Sequence, residues 1–371
     1  MMSRPQRSKP NSLLHSPRSR RTLPPIFVAA AFAAVLLLGL ATMPAPWPGK
    51  AVREYSGSNV VLPAVHAQPD SEGGTTLPTP DDAESLERLF DRHNYRIKGF
   101  ADLLGLPDAG EKRRVGEIKV EIPRLFLEGL PPDLADLTDI PKRKSLFLRA
   151  LLPLVLAENE ALFEQRQGVL KLQAHLNRGM ILSEPERVWL GEMLRRYKVR
   201  LPDLDLLLVR VDAVPVSLAL AQAVVESGWG TSRFAVEGNA MYGQWTWSSK
   251  ARGIVPENRP KGSRHRIRSF TNLAGAVRAY MHALNSSWAY RAFRVARHDR
   301  RTHGLPPNGP ALAPGLRMYS QERDAYTSRL QQLIAANGLH RLDSLRLSSD
   351  QDEPYTLVAF LAPFFSSESS Q

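Results

Sequence analysis

Hydrophobic positions recur at helical spacing along most of the chain between Ala83 and Asn337. Leu86, Leu89 and Phe90 predict a helix over about 83–94. Leu146, Phe147, Ala150, Leu154, Ala157, Ala161 and Leu162 predict a long one over 142–171, with Pro153 as a candidate kink. SEPERVWLGEMLRRY predicts a third, capped by Ser183, with Pro185 in its first turn and Glu192–Arg196 as an exposed pair. Residues 115–141 open like a strand and are then broken by prolines. Residues 213–227 predict a short apolar helix, with Asp212 as N-cap and Gly228 and Gly230 as its stop. Beyond Trp247, the alternation from His265 to Phe270 predicts a strand. Asn272 then caps LAGAVRAYMHALN, and further helices follow at 288–298 and about 321–337. The class predicted is mainly α with a small β part, α+β.

The first part of the chain reads differently. Residues 1–25 carry six basic residues and no acid, and residues 26–43 are eighteen apolar or small residues without charge. That length is near what a bilayer span needs, and the basic flank places the N-terminus in the cytoplasm and the remainder outside it. The run is either an anchor, the favoured reading, or a cleaved signal segment; the basic flank argues against a buried core helix. Residues 44–82, rich in Pro, Gly, Ser and Thr, read as a flexible tether. The remaining divisions are a helical region over 83–205, a second domain over 206–342 and a polar tail over 343–371.

Composition narrows the chemistry. The 371 residues include no cysteine, which excludes a disulfide framework, a thiolate metal site and a thiol nucleophile. The histidines are scattered, so no metal and no cofactor is expected. The net charge is +12, and residues 250–301 hold thirteen basic residues against Glu257 and Asp299. This cluster is either a groove for an anionic polymer or a set of solvated arginines. No nucleic-acid motif accompanies it.

The strongest candidate for chemistry is Glu226. It closes the 213–227 helix, where the negative end of the helix dipole and the flanking Val224, Val225 and Trp229 both disfavour the ionised carboxylate. A carboxyl that holds its proton near neutral pH can act as a general acid. The plain alternative is an ordinary exposed glutamate at a helix end. Ala219, Gln222, Ala223 and Glu226 share one helix face, where small side chains admit a ligand or another element.

The ordered set Ala221-Gln222-Ala223, Glu226-Ser227-Gly228-Trp229-Gly230, Ser232, Phe234, Asn239, Tyr242-Gly243, Trp245-Thr246-Trp247, Leu284-Asn285 and Ala289-Tyr290-Arg291 resembles the glucosaminidase domain of glycoside hydrolase family 73, in its Bax-type branch. The likeness is dense over 211–340 and looser over 120–210. It implies a lysozyme-like lobe with a small β-hairpin and a peptidoglycan glycan-strand hydrolase, with Glu226 as the acid. It also implies residence in the periplasm, anchored in the inner membrane of a Gram-negative bacterium. Family members often draw a second glutamate from the hairpin, at the position that Arg266 occupies here. Glu237 and Glu257 are the only acids between Glu226 and Asp299, and a further carboxylate from Glu158, Glu160 or Glu164 is conceivable. Tyr290, Tyr319 and Tyr326 are candidate partners for Glu226, with core packing as their alternative. Trp229, Asn239, Tyr242, Trp245 and Trp247 are candidates for holding the glycan, with core packing the rival for Trp229. The expected activity is cleavage of the β-1,4 bond after GlcNAc. A muramidase or lytic transglycosylase, and a non-catalytic glycan-binding or scaffold protein, are the alternatives.

Overall fold

A computed structural model describes residues 62–65, 75–93, 95, 122–200, 202–257, 259 and 262–348. The apolar run at 26–43 and the chain beyond 348 lie outside these residues. Among the described residues no helix is long and apolar enough to cross a membrane.

In chain order the elements are β1 (Thr75–Leu77), α1 (Ala83–Arg92), β2 (Leu125–Leu127), α2 (Ile140–Asn177), α3 (Glu184–Arg196), α4 (Leu204–Arg210) and α5 (Val216–Ser227). They continue with α6 (Arg233–Gly238), β3 (Trp245–Thr246), β4 (Gly253–Ile254), β5 (Arg266–Arg268), α7 (Leu273–Ser286), α8 (Arg291–Thr302), α9 (Gly309–Leu312) and α10 (Asp324–Ala336). The protein is mostly helical with a small sheet component, as expected.

The axis of the fold is α2. Asp139 caps it by accepting from the Lys142 amide, and the helix runs on through Pro153 without a break. Every residue from Leu146 to Glu158 is buried, so this stretch is covered all round rather than on one stripe. Helices α4, α5 and α7 and strand β2 pack against it. Asn159 on α2 ties the entry of α5: its amide donates to the Val214 carbonyl at 2.8 Å and its carbonyl accepts from the Val214 amide at 2.9 Å. One apolar core runs from Val65 to Leu347, across the division drawn at 205–206.

Several local expectations change. Asp212 does not cap α5, because the helix begins only at Val216, with Pro215 at the cap position. The capping oxygens come from Asp343, which accepts from the Ser217 amide at 2.8 Å, the Ser217 hydroxyl at 2.9 Å and the Gly309 amide at 3.1 Å. Glu192 pairs with Arg195, three residues further along α3, at 3.9 Å. Part of the expected tether is built into the fold. Val65 is buried, β1 pairs in parallel with β2, and the Pro63 carbonyl accepts from the Trp189 indole at 2.6 Å. The short sheet after α6 has three strands in the order β3-β5-β4, all antiparallel, with the predicted strand at its centre rather than in a two-stranded hairpin.

Candidate active site

Glu226 stands in the last turn of α5, one residue before Ser227 ends the helix. Gly228, Trp229 and Gly230 then take three successive left-handed conformations, at φ 59°, 61° and 80°. A side chain at Gly230 would be strained at this φ and would displace its neighbours, since a Cβ there would lie 2.7 Å from Leu130 Cδ1 and 2.9 Å from Phe147 Cδ2. For a tryptophan this backbone is strained, and strain persists where surroundings hold it. The holding contacts are specific. Trp229 packs edge-on against Phe147 on α2, Lys144 lies over its ring, and the Ser227 hydroxyl accepts from the Gly230 amide at 2.9 Å. The turn therefore fixes the carboxyl immediately before it.

The carboxyl is half-buried, and burial raises its pKa above the ordinary glutamate value. A hydrogen bond from Tyr326 and the charge of Arg329 act in the opposite direction without cancelling the rise. The Tyr326 hydroxyl donates to Glu226 Oε1 at 2.8 Å. Behind it, Gln222 Nε2 donates to the Tyr326 oxygen at 2.8 Å, and the Tyr280 hydroxyl donates to Gln222 Oε1 at 2.7 Å. The other carboxyl oxygen, Oε2, faces Gly243, where an added Cβ would lie 3.1 Å away.

The three candidate tyrosines gather here. Tyr319 stacks on Tyr326 with ring centroids 5.6 Å apart, and Tyr290 lies 5.8 Å from Tyr319. Burial, and then the Glu226 charge, pushes Tyr290 up to about 12 and Tyr319 well above the ordinary tyrosine value. The same two causes raise Tyr326. These hydroxyls hold their protons at neutral pH and so act as hydrogen-bond donors there. Tyr319 uses its hydroxyl on the Tyr242 carbonyl at 2.7 Å.

The residues expected to touch a ligand divide. Trp245 and Trp247 are 53% and 67% exposed, 5.9 Å apart, and Trp245 stacks on His265 at 4.4 Å. They form an aromatic surface at β3. Tyr242 is instead buried and stacked on Tyr280 at 3.9 Å, so it supports the site from within the core. Asn239 ends α6 in a left-handed conformation, and its side chain donates to the Phe270 and Thr271 carbonyls. Trp229 is part buried in the strained turn.

The acids offered as a second group lie elsewhere. Glu237 and Glu257 are exposed and both bind Arg233, each at 3.3 Å. Glu158 is buried beside Arg278 and Arg196, burial pushing it up to about 7, while Glu160 pairs with Arg124 at 2.9 Å. Glu164 has interactions of its own on α2. Arg266 donates to the Ser248 and Ala251 carbonyls, both at 2.8 Å, and so ties the loop between β3 and β4.

The basic cluster is divided: Lys250, Arg252, Arg264, Arg268, Arg291 and Arg301 are exposed, and others turn inward. Arg294 and Arg297 are buried, donating to backbone carbonyls of Leu284 and Ser287 and of Val209, Arg210, Asp212 and Ala213 respectively. Arg301 pairs with Asp212, and Arg278 with Glu158. Net charge counted along the sequence therefore overstates what the surface presents.

Sequence reading missed Tyr280 and Arg329, which reach the site from α7 and α10, and Asp343, which holds the opposite end of α5. No local signal marks them.

With this geometry in view, comparison with known proteins gives two matches. Residues 208–339 match the family described as Glucosaminidase: Mannosyl-glycoprotein endo-beta-N-acetylglucosaminidase. The chain is also 31% identical over 219 residues to Protein bax of Escherichia coli (strain K12), across 56% of this chain and 76% of that protein. The helical fold with Glu226 at a helix end thus carries the domain of a glycosidase family. The chain belongs to the Bax-type proteins with a glucosaminidase domain. Both α2 and Asp343 fall outside the matched domain, yet both hold its central helix.

Proposed function

We propose that this protein hydrolyses the β-1,4 bond after GlcNAc in peptidoglycan strands, on a lysozyme-like lobe, with Glu226 as general acid. The observation that carries the reading is the carboxyl itself. It is half-buried, biased toward its protonated form, and held on one oxygen by Tyr326 while the other faces Gly243. Trp245 and Trp247 offer flat apolar faces suited to the C–H faces of pyranose rings. Glycosidases usually pair two carboxyls, and no second one lies free near Glu226 among the described candidates. The Tyr290, Tyr319 and Tyr326 group keeps its protons and is unsuited to act as base. The N-acetyl oxygen of the substrate is then the nucleophile that fits, with water completing hydrolysis and configuration retained.

Mass spectrometry of digested sacculi tests the reading. Reducing-end GlcNAc is the expected product. Reducing-end or anhydro-MurNAc would point to a muramidase or a transglycosylase. No cleavage would favour a glycan-binding protein, the reading that Arg266 in the hairpin position supports.

Tyr326→Phe should lower kcat/KM about tenfold to a hundredfold, the range of a hydrogen bond to a charged group. The direction with pH is fixed as well. The lost hydrogen bond is one that lowers the Glu226 pKa, so the alkaline limb of the rate profile should move to higher pH. A limb that stays in place, or moves down, would remove Glu226 from the role of titrating acid.

We also propose that the run at 26–43 holds the protein to the inner membrane, with the glucosaminidase domain in the periplasm. Carbonate extraction of membranes should leave it in the pellet, and a soluble chain starting beyond residue 43 would refute the anchor.

A further inference from the structure

Gln222 is fully buried on α5, one turn before Glu226, and neither packing nor capping explains a buried amide there. Its two polar atoms are both used. One binds the Tyr326 oxygen and the other the Tyr280 hydroxyl. Tyr280 is itself buried, and Tyr326 is only 2% exposed, so the chain from Tyr280 to Glu226 is sealed from water up to the carboxyl.

Hydrogen-bond arithmetic gives this chain one direction. An ionised carboxylate only accepts, so the single hydrogen of Tyr326 goes to Glu226 Oε1. The Tyr326 oxygen then needs a donor, which Gln222 Nε2 supplies. Gln222 Oε1 is left to accept, and the Tyr280 hydroxyl donates to it. Resting on the reading of Glu226 as the acid, we propose that Gln222 is a positioning residue that locks the Tyr326 hydrogen onto Oε1, so that the proton given to the glycosidic oxygen rides on Oε2. Gly243 completes the device. Its lack of a side chain leaves Oε2 accessible, since a Cβ there would approach it to 3.1 Å. Tyr280 holds the amide plane of Gln222, and its stacking on Tyr242 at 3.9 Å holds Tyr280. The motif residue Tyr242 thus acts through two others instead of touching glycan.

The test is a double-mutant cycle read by pH profile on the full-length protein acting on purified sacculi. Gln222→Met should lower kcat about tenfold to a hundredfold with KM little changed, and should move the alkaline limb upward as Tyr326→Phe does. The double variant should be no worse than the weaker single one, because both remove the same bond. Losses that multiply, or a limb that stays at the wild-type position, would overturn the proposal and leave Gln222 as packing. Should Gln222→Met fail to fold, Gln222→Glu keeps the length of the side chain. A carboxylate at 222 accepts from Tyr326 and draws its hydrogen away from Glu226, so the same upward movement is expected; a wild-type profile would overturn the proposal equally. Glu226→Gln in the same assay separates the two levels. If it remains active, the underlying reading and this one fall together. If it is inactive while the Gln222 variants keep the wild-type profile, only the positioning role falls.

Discussion

Glu226→Gln should abolish glycan cleavage while leaving the folded protein and its affinity for glycan close to unchanged. General acid catalysis contributes about a hundredfold to ten-thousandfold, so the loss should exceed that of any other single change in the site. Gln keeps the shape of the side chain, and its carbonyl oxygen can still accept from Tyr326, so the hydroxyl chain behind it stays satisfied. It cannot deliver a proton. The effect on stability follows from the sign of the pKa shift. Burial raises the folded-state pKa of Glu226, so the stabilising contribution of its protonated form is present in acid and lost as pH rises through the folded value. Once ionised, the buried carboxylate opposes folding, and a neutral amide removes that opposition. The melting temperature should therefore hold or rise slightly. Turnover on sacculi measured beside thermal unfolding checks both. Full activity would sink the mechanism, and loss of activity together with the melting transition would make Glu226 structural.

How far such a site can be read from sequence depends on how far its contacts reach along the chain. The helix ending at Glu226, the stop at Gly228 and the cap of α7 by Asn272 are local features, decided by neighbours within a turn, and all were legible. The environment of the carboxyl was not. Tyr326 lies 100 residues from Glu226, Tyr280 lies 58 from Gln222, and Asp343 lies 126 from Ser217. Periodicity places each on a helix and says nothing of the partner it meets.

A dense motif also mixes two kinds of residue. Trp245 and Trp247 are exposed, whereas Tyr242 and Asn239 hold the frame, and the sequence presents all four alike. The cap of α5 shows the same limit. Asp212 has the right chemistry one short step too early, and its charge is claimed by Arg297 and Arg301, far downstream in the sequence.

That misplaced cap is the seat of the largest stability effect to be expected. Asp212→Ala should destabilise the protein by about 3–5 kcal/mol, the range for breaking a buried ion pair from one side. Asp212 is 3% exposed, and its carboxylate receives Arg301 Nη2 at 2.5 Å and Arg301 Nε at 2.7 Å, with Arg297 and Arg166 each at 3.8 Å. Arg297 is fully buried, and burial lowers it to about 10. Without the carboxylate the fully buried Arg297 and the largely buried Arg166 lose their counter-charge and face the guanidinium of Arg301, whose side chain is 38% exposed. The consequence reaches the active site, because Arg297 also gathers the carbonyls of Val209, Arg210, Asp212 and Ala213, where the chain enters α5. Denaturant unfolding should show a lowered midpoint with an unchanged slope, and Asp212→Asn, which keeps the shape and an acceptor, should lose less. The pH dependence has a definite sign. Burial alone would raise the Asp212 pKa, but Arg297, Arg301 and Arg166 outweigh it and hold the carboxyl below the usual range. Its contribution is therefore present above the unfolded-state pKa and lost as pH falls through the folded one. The gap between wild type and Asp212→Ala should narrow in acid. Equal midpoints at neutral pH, or a gap that widens as pH falls, would show that the arginines are held by the backbone carbonyls alone.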